Sequence, residues 1–185
     1  MSNFAPAGAT RLVWGRSTRL LHWTLAVSMI ASFVTHEGGG RWHEWTGYVA
    51  LAAASLRVLL GFFASGMWRF SGFLRGVGAT LDYARAVLQR REPHFLGHNP
   101  LGGWMVVALL VDAILVGATG WLYVTDRFWG VQWLEELHGA LGHLLIPLFV
   151  LHVAGVVFTS IRQKENLAAA MVHGRKRAPA EPSPD

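Results

Sequence analysis

Apolar residues in this 185-residue chain gather in four long runs, separated by polar and glycine-rich stretches. The runs cover residues 20–35, 43–63, 101–124 and 137–161. Each approaches the ~20 apolar residues that a helix needs to cross the hydrocarbon core of a bilayer. We therefore predict an all-α membrane protein, a bundle of four transmembrane helices. The helices are expected at about residues 18–36, 43–64, 100–125 and 135–162.

Three further segments complete the predicted organisation. Residues 1–17 precede the membrane domain of residues 18–162, and residues 163–185 form a tail that is expected to be disordered from Arg175 onward. Within the long third connection, residues 78–91 have the apolar spacing of an amphipathic helix lying on the membrane surface. No small-residue cleavage site follows the first run, so we do not expect a removed leader.

Basic residues are distributed unevenly between the two sides of the predicted membrane domain. Thirteen Lys and Arg residues flank the runs on the side of the termini, whereas only Arg41 and Arg127 lie in the other connections. Cytoplasmic segments carry such an excess of positive charge. The sequence thus predicts a multi-pass protein of the bacterial inner membrane with both termini in the cytoplasm. The same distribution accounts for the formal net charge of +5 better than a nucleic-acid-binding face would.

Composition narrows the possible cofactors. The chain is 52% hydrophobic and only 15% charged, which is typical of an integral membrane protein. It contains no cysteine. Disulfides, iron–sulfur clusters and covalently attached c-type haem are therefore excluded, because all three need thiols. Any redox cofactor must be held by histidine or by non-covalent packing.

Four of the nine histidines share two depths in the predicted bundle. His138 and His152 are fourteen residues apart, so they leave nearly the same helix face about 21 Å apart along its axis. His22 shares the depth of His152, and His43 shares that of His138. A bis-histidine haem needs two imidazoles facing each other at one level of a bundle. The sequence therefore predicts two b haems, with His22 and His152 on one iron and His43 and His138 on the other.

Two positions near these histidines allow alternatives. His36 also lies fourteen residues after His22 and competes with His43 for the outer iron. His43 is preferred, because a run of three glycines follows His36 and glycine runs commonly end helices. Arg57 lies fourteen residues after His43, at the inner level. It either binds a haem propionate or extends to the membrane interface.

Three other polar residues have less definite roles. Asp112 is an acid deep in a predicted span, suited either to proton handling at a quinone site or to hydrogen bonding with a helix or a ligand imidazole. His98 belongs to an entry turn into the third helix, with Asn99 or the histidine as the cap and Pro100 in the first turn. Contact with quinone or a partner is the alternative for His98. His143 is interpreted as a packing residue.

Several motifs resemble those of the prokaryotic cytochrome b561 and nickel–iron hydrogenase b-type cytochrome group. They are "TRLLHW", "WHEWTGY" followed by Arg57, "GHNPLGGWMVV" and "LHGALGHLLIPLFVLH". The resemblance implies a four-helix inner-membrane cytochrome with two b haems, ligated by His22 and His152 on the cytoplasmic side and by His43 and His138 on the periplasmic side. Members pass electrons between the quinone pool and periplasmic redox partners, and some oxidise superoxide.

Transmembrane electron transfer is therefore the leading hypothesis. A c-type cytochrome or a partner oxidoreductase subunit is expected in the periplasm, with quinone and membrane lipid as the other partners. The chain is alternatively the membrane anchor of a hydrogenase or dehydrogenase, or a superoxide:quinone oxidoreductase, so whether it acts alone as an enzyme stays open. A histidine-based metal transporter is a remote alternative, because the ligands of one ion must converge and these histidines lie at two depths.

Overall fold

The computed structural model of the chain describes residues 10–38, 40–64, 68–95 and 97–177. Four long helices dominate it: α1 (Arg16–Val34), α2 (Arg41–Phe63), α5 (Pro100–Tyr123) and α6 (Gln132–Gln163). The shorter elements are strands β1 (Thr10–Leu12) and β2 (Arg175–Arg177), a 3₁₀ turn (His36–Gly38), and helices α3 (Phe70–Phe73), α4 (Val77–Leu88) and α7 (Leu167–His173). The four long helices occupy the four apolar runs of the sequence.

Three of the long helices, α2, α5 and α6, are long and apolar enough to cross a membrane. The remaining one, α1, has 19 residues but is less apolar than the other three. The difference arises because Arg16, Arg19 and His22 occupy its first two turns. The all-α membrane architecture is thus confirmed, whereas a fourth crossing by α1 stays a prediction.

Local chemistry sets where α5 and α6 begin and end. The side chain of Asn99 accepts a hydrogen bond from the backbone N–H of Gly102 at 2.7 Å, and Pro100 occupies the first turn of α5. Asn99 is therefore the cap. Helix α6 has 32 residues and ends where Lys164 adopts a left-handed conformation with φ 50°. At 1.5 Å per residue it is about 48 Å long, well beyond the roughly 30 Å of a bilayer core.

The long helices pack in the order α1, α2, α5, α6, each against the next. Small side chains permit close approach of α2 and α5: Ala54 and Ala113 are buried with Leu110, and a Cβ on Gly117 would lie only 2.8 Å from the Cβ of Leu51. Within the described residues, α6 packs closely along α5 but not along α1 or α2. Helix α6 therefore faces α1 and α2 across a wider separation.

The two ends of the bundle differ. One end, called here the terminal end, carries α3, α4, α7 and an antiparallel ribbon formed by β1 and β2. The opposite end, called the loop end, carries the 3₁₀ turn and the connection 124–131. The prediction of a disordered tail from Arg175 is wrong for Arg175–Arg177, because these residues pair with β1; residues 178–185 lie outside the described residues.

Candidate functional site

Two of the predicted site histidines meet at the loop end of the bundle. His43, in the first turn of α2, and His138, in the second turn of α6, have ring centroids 6.0 Å apart, with planes at 87°. Metal–imidazole bonds are about 2 Å long, so two imidazoles on opposite sides of one metal ion have centroids about 6 Å apart. At the observed separation, both imidazoles would be able to bind one metal ion.

Backbone carbonyls orient both imidazoles. The Nδ1 atom of His43 lies 2.9 Å from the carbonyl oxygen of Ser32, and that of His138 lies 3.0 Å from the carbonyl oxygen of Val116. A carbonyl oxygen only accepts hydrogen bonds, so each Nδ1 carries the hydrogen. The Nε2 lone pair of each ring is then available for a metal. Outer hydrogen bonds of this kind hold metal-ligating histidines in place.

Residues of α1 and α5 complete the surroundings of this pair. The hydroxyl of Thr119 lies 3.2 Å from Nδ1 of His138 and donates its own hydrogen to Leu115, so it accepts from the imidazole. The hydroxyl of Ser32 donates to the carbonyl of His43 at 3.2 Å. Gly120 leaves room for the His138 ring, because a Cβ there would lie 2.8 Å from its Cε1.

The rival residue His36 lies elsewhere. It belongs to the 3₁₀ turn, is exposed, and stacks on Phe33 with ring centroids 5.2 Å apart. Its Nδ1 lies 2.5 Å from the carbonyl oxygen of Phe33. The structure therefore brings His43, and not His36, next to His138. His143 is also exposed, and its Nδ1 lies 2.7 Å from the carbonyl oxygen of Gly139. It therefore does not belong to the pair.

The second predicted pair occupies the terminal end. His22 lies on α1 and His152 on α6, the two helices that face each other across the wider separation. Both influence His98, whose pKa falls to about 4, first because of burial and then because of Arg57, Lys176, His152 and His22. His98 and the four groups that act on it are called here the inner cluster.

Arg57 is held in this cluster by aromatic residues. Its guanidinium donates to the carbonyl oxygen of Trp68 at 3.0 Å and lies 5.6 Å from the Trp68 ring. It also lies 5.2 Å from the ring of Phe70 and 5.8 Å from that of Phe73. Cation–π contacts at these distances are favourable. The guanidinium thus remains beside the bundle interior at the inner level.

Sequence reasoning did not connect two members of the inner cluster, His98 and Lys176, with the inner haem site. The ring of His98 lies between Trp14 and Phe73, with centroids 4.9 Å and 4.7 Å away, and its buried Nδ1 has no hydrogen-bond partner in the described part of the chain. Lys176 of β2 is only 5% exposed. In sequence, His98 is indistinguishable from a helix-entry residue and Lys176 from the other basic residues of the tail. Only the fold brings them together.

Asp112 stands apart from both pairs. Its side chain on α5 is 3% exposed, and neither carboxyl oxygen has a hydrogen-bond partner among the described residues. The alternative in which it orients a ligand imidazole therefore finds no support in these contacts. The described residues also contain no group of three or more His, Asp or Glu side chains placed to hold a metal ion. They do offer the facing imidazoles of His43 and His138, and imidazole is a common ligand of haem iron.

Paired imidazoles between long apolar helices are the features of a membrane-embedded b-type cytochrome. Comparison with protein families supports this class, since the model of the prokaryotic cytochrome b561 family matches residues 13–174. The chain belongs to the prokaryotic cytochrome b561 family. It is therefore a membrane protein that binds b-type haem and transfers electrons. Comparisons with curated proteins and with solved structures gave no match.

Proposed function

We propose that this protein carries electrons across the bacterial inner membrane, between the quinone pool and a periplasmic redox partner, through two b haems. His43 and His138 would hold the outer haem, and His22 and His152 the inner one. The observation that carries this proposal is the geometry of the outer pair. The two imidazoles are 6.0 Å apart and each has Nδ1 at a backbone carbonyl, so the Nε2 atom of each would be available to iron.

The placement of the ligands supports a route across the membrane. His138 and His152 lie on the same continuous helix, fourteen residues apart, which is about 21 Å along its axis. The two sites are thus at different depths, one at the loop end and one at the terminal end. With both termini in the cytoplasm, as the basic residues predict, the inner site is on the cytoplasmic side.

When bound, haem supplies one-electron chemistry at iron. The chain's own residues set its environment. Ser32 and Val116 fix the tautomer and the orientation of the outer imidazoles through their carbonyl groups. Two histidines per iron leave no open coordination position, so the protein excludes small ligands such as oxygen. Arg57 places a positive charge at the inner level, where it is available to a propionate.

The decisive experiment is a spectroscopic measurement on the purified protein. We expect a low-spin b-type spectrum in the dithionite-reduced minus oxidised difference, and two haems per chain by the pyridine haemochrome assay. Carbon monoxide should leave the reduced spectrum unchanged, because no coordination position is open. Purified protein without haem, after expression with ample haem supply, would refute the proposal, as would a large carbon monoxide shift at full occupancy.

The donor and acceptor need a separate test. The haems should be reduced by quinol in membranes and reoxidised by a c-type cytochrome added from the periplasmic side. Reduction of the haems by superoxide, or reduction that depends on a hydrogenase subunit, would instead assign the chain to one of the alternative roles within the same class. In each case the two haem sites are the same and only the electron source differs.

A further inference from the structure

The ribbon at the terminal end is a fixed part of the fold. Strand β2 pairs with β1 in the register Arg11 to Lys176. The carbonyl oxygen of Gly174 accepts hydrogen bonds from the backbone N–H groups of Val13 at 2.8 Å and Trp14 at 3.0 Å. Gly174 has φ +84°, and a side chain there would collide with the carbonyl oxygen of Trp14. The ribbon therefore has a single position over the bundle end.

The residues of β2 alternate between solvent and interior. Arg175 and Arg177 are exposed, whereas Lys176 between them is 5% exposed. The ribbon thus directs one ammonium group toward the bundle. Burying an ammonium group is costly unless an anion compensates it. Among the described residues, Lys176 has no ion pair and no side-chain hydrogen bond.

One acid, Glu165, acts on Lys176 without forming an ion pair with it in the described residues. Glu165 attracts the ammonium group, but burial is the stronger influence and lowers the pKa of Lys176. One oxygen of Glu165 accepts a hydrogen bond from the backbone N–H of Arg177 at 2.5 Å, and the other is buried without a hydrogen-bond partner among the described residues. Glu165 therefore does not compensate Lys176 fully.

Other cationic groups surround the same space. Arg57 and Lys176 both act on His98. Arg19 donates to the carbonyl oxygen of Val172, while its Nε is buried without a partner in the described residues. Among the described residues, three cationic groups, those of Arg19, Arg57 and Lys176, therefore lie at the terminal end. Such an arrangement attracts a ligand with carboxylate groups.

We propose that Lys176, together with Arg57, binds the propionate carboxylates of the haem held by His22 and His152, so that the terminal ribbon is part of the inner haem site. This inference rests on the proposed function and adds residues to it. Lys176 lies two residues beyond the region 13–174 that matches the family model. The contact is therefore assigned from this chain's own structure.

The proposal is tested by the midpoint potentials of the two haems. In Lys176→Met the potential of one haem should fall, because loss of a positive charge beside it favours the oxidised iron. We expect about a tenfold change in the reduction equilibrium, or about 59 mV for one electron. Arg177→Met is the matched control: it removes an exposed charge from the same strand and should leave both potentials unchanged. Lys176→Arg should retain the wild-type potentials.

A modified haem identifies the carboxylates as the ligand. Apoprotein is reconstituted with haem b or with its dimethyl ester, in which both propionates are neutral. Lys176→Met should lower the affinity of the apoprotein for haem b but not its affinity for the ester. An equal loss of affinity for the ester would overturn the proposal, because Lys176 would then hold the haem without the propionates.

The outcomes separate this inference from the proposed function. Wild-type protein without haem contradicts the proposed function itself. A second outcome is that wild-type protein binds two haems and that Lys176→Met and Arg177→Met have the same midpoint potentials. This result overturns only the role of Lys176. If Lys176→Met does not fold, Lys176→Gln removes the same charge while keeping a polar end, and the same shift is expected there.

Discussion

At the scale of single residues, the outer site depends on the space that Gly120 leaves for His138. A Cβ at position 120 would lie 2.8 Å from Cε1 and 3.3 Å from Nδ1 of the imidazole. The ring is held between carbonyl and hydroxyl groups of α5 and has little freedom to retreat. A single methyl group on α5 should therefore displace a side chain on α6.

We expect Gly120→Ala to destabilise the protein by about 1–3 kcal/mol, the usual cost of overpacking, and to lower the occupancy of one haem. Thermal unfolding and haem content measure the two effects. Gly139→Ala is the control, because an added Cβ at position 139 meets no atom within 4 Å. Equal haem content in the two variants would show that the His138 ring tolerates the added methyl group.

The choice between His36 and His43 also belongs to this scale. His43→Ala should reduce the haem content from two per chain to one, because it removes one of two facing imidazoles. His36→Ala should keep both haems, since His36 is exposed and bonds to its own helix end. Pyridine haemochrome assays of the two purified variants decide the matter. Loss of haem in His36→Ala alone would assign the ligand to His36.

At the scale of elements, an ion pair joins the connection before α5 to the end of α6. Arg162 donates to the two carboxylate oxygens of Glu92 at 2.7 Å and 2.6 Å. The side chain of Glu92 is 10% exposed. These hydrogen bonds from Arg162 lower the pKa of the Glu92 carboxyl below its ordinary value. The pair ties two elements that flank the inner cluster.

The lowered pKa gives this contact a defined pH dependence. A carboxyl whose pKa is depressed in the folded state stabilises the fold at pH values above its ordinary pKa of 4.5. That stabilisation is lost as the pH falls through the lower pKa of the folded state. Glu92→Gln should therefore lower the midpoint temperature of unfolding at pH 7, and the difference from wild type should shrink at acidic pH.

Asp82→Asn provides the comparison, because its ion pair with Arg85 is exposed, with 73% and 71% of the two side chains accessible. Exposed pairs contribute about 0–1 kcal/mol, so a near-zero change is expected. Thermal unfolding from pH 7 to below 4.5 measures both variants. A constant difference between Glu92→Gln and wild type over that range would contradict the assignment of the pH dependence to Glu92.

At the scale of the whole molecule, topology is the open question, since α1 is less apolar than the three other long helices. The chain contains no cysteine, so a single introduced thiol reports its own location. If α1 crosses the membrane, Thr10→Cys, which precedes α1, and Gln89→Cys are both cytoplasmic, and Asp126→Cys is periplasmic. A membrane-impermeant maleimide on intact spheroplasts should then label only Asp126→Cys. Labelling of Thr10→Cys would contradict a crossing by α1.

The amino-acid sequence by itself determined the helical membrane class and the family. Runs of about 20 apolar residues have few other folded solutions, because a bilayer accepts only backbones whose hydrogen bonds are internally satisfied. The fourteen-residue spacing of His138 and His152 is likewise a property of one helix and can be read from the chain. Asn99 and Pro100 likewise marked the start of α5, because capping and the first turn involve only neighbouring residues.

Contacts between distant parts of the chain were decided only by the tertiary structure. The tail strand pairs with residues more than 160 positions earlier, and such pairing depends on where the bundle places its ends. The glycine run already favoured His43 over His36 in the sequence, but the position of the His43 ring 6.0 Å from that of His138 on another helix was set by packing. Three members of the inner cluster, Arg57, His98 and Lys176, come from three separate segments, so no local pattern could identify them together. Interactions between neighbouring residues determine where each helix lies in the sequence, whereas the packing of the helices determines which side chains meet.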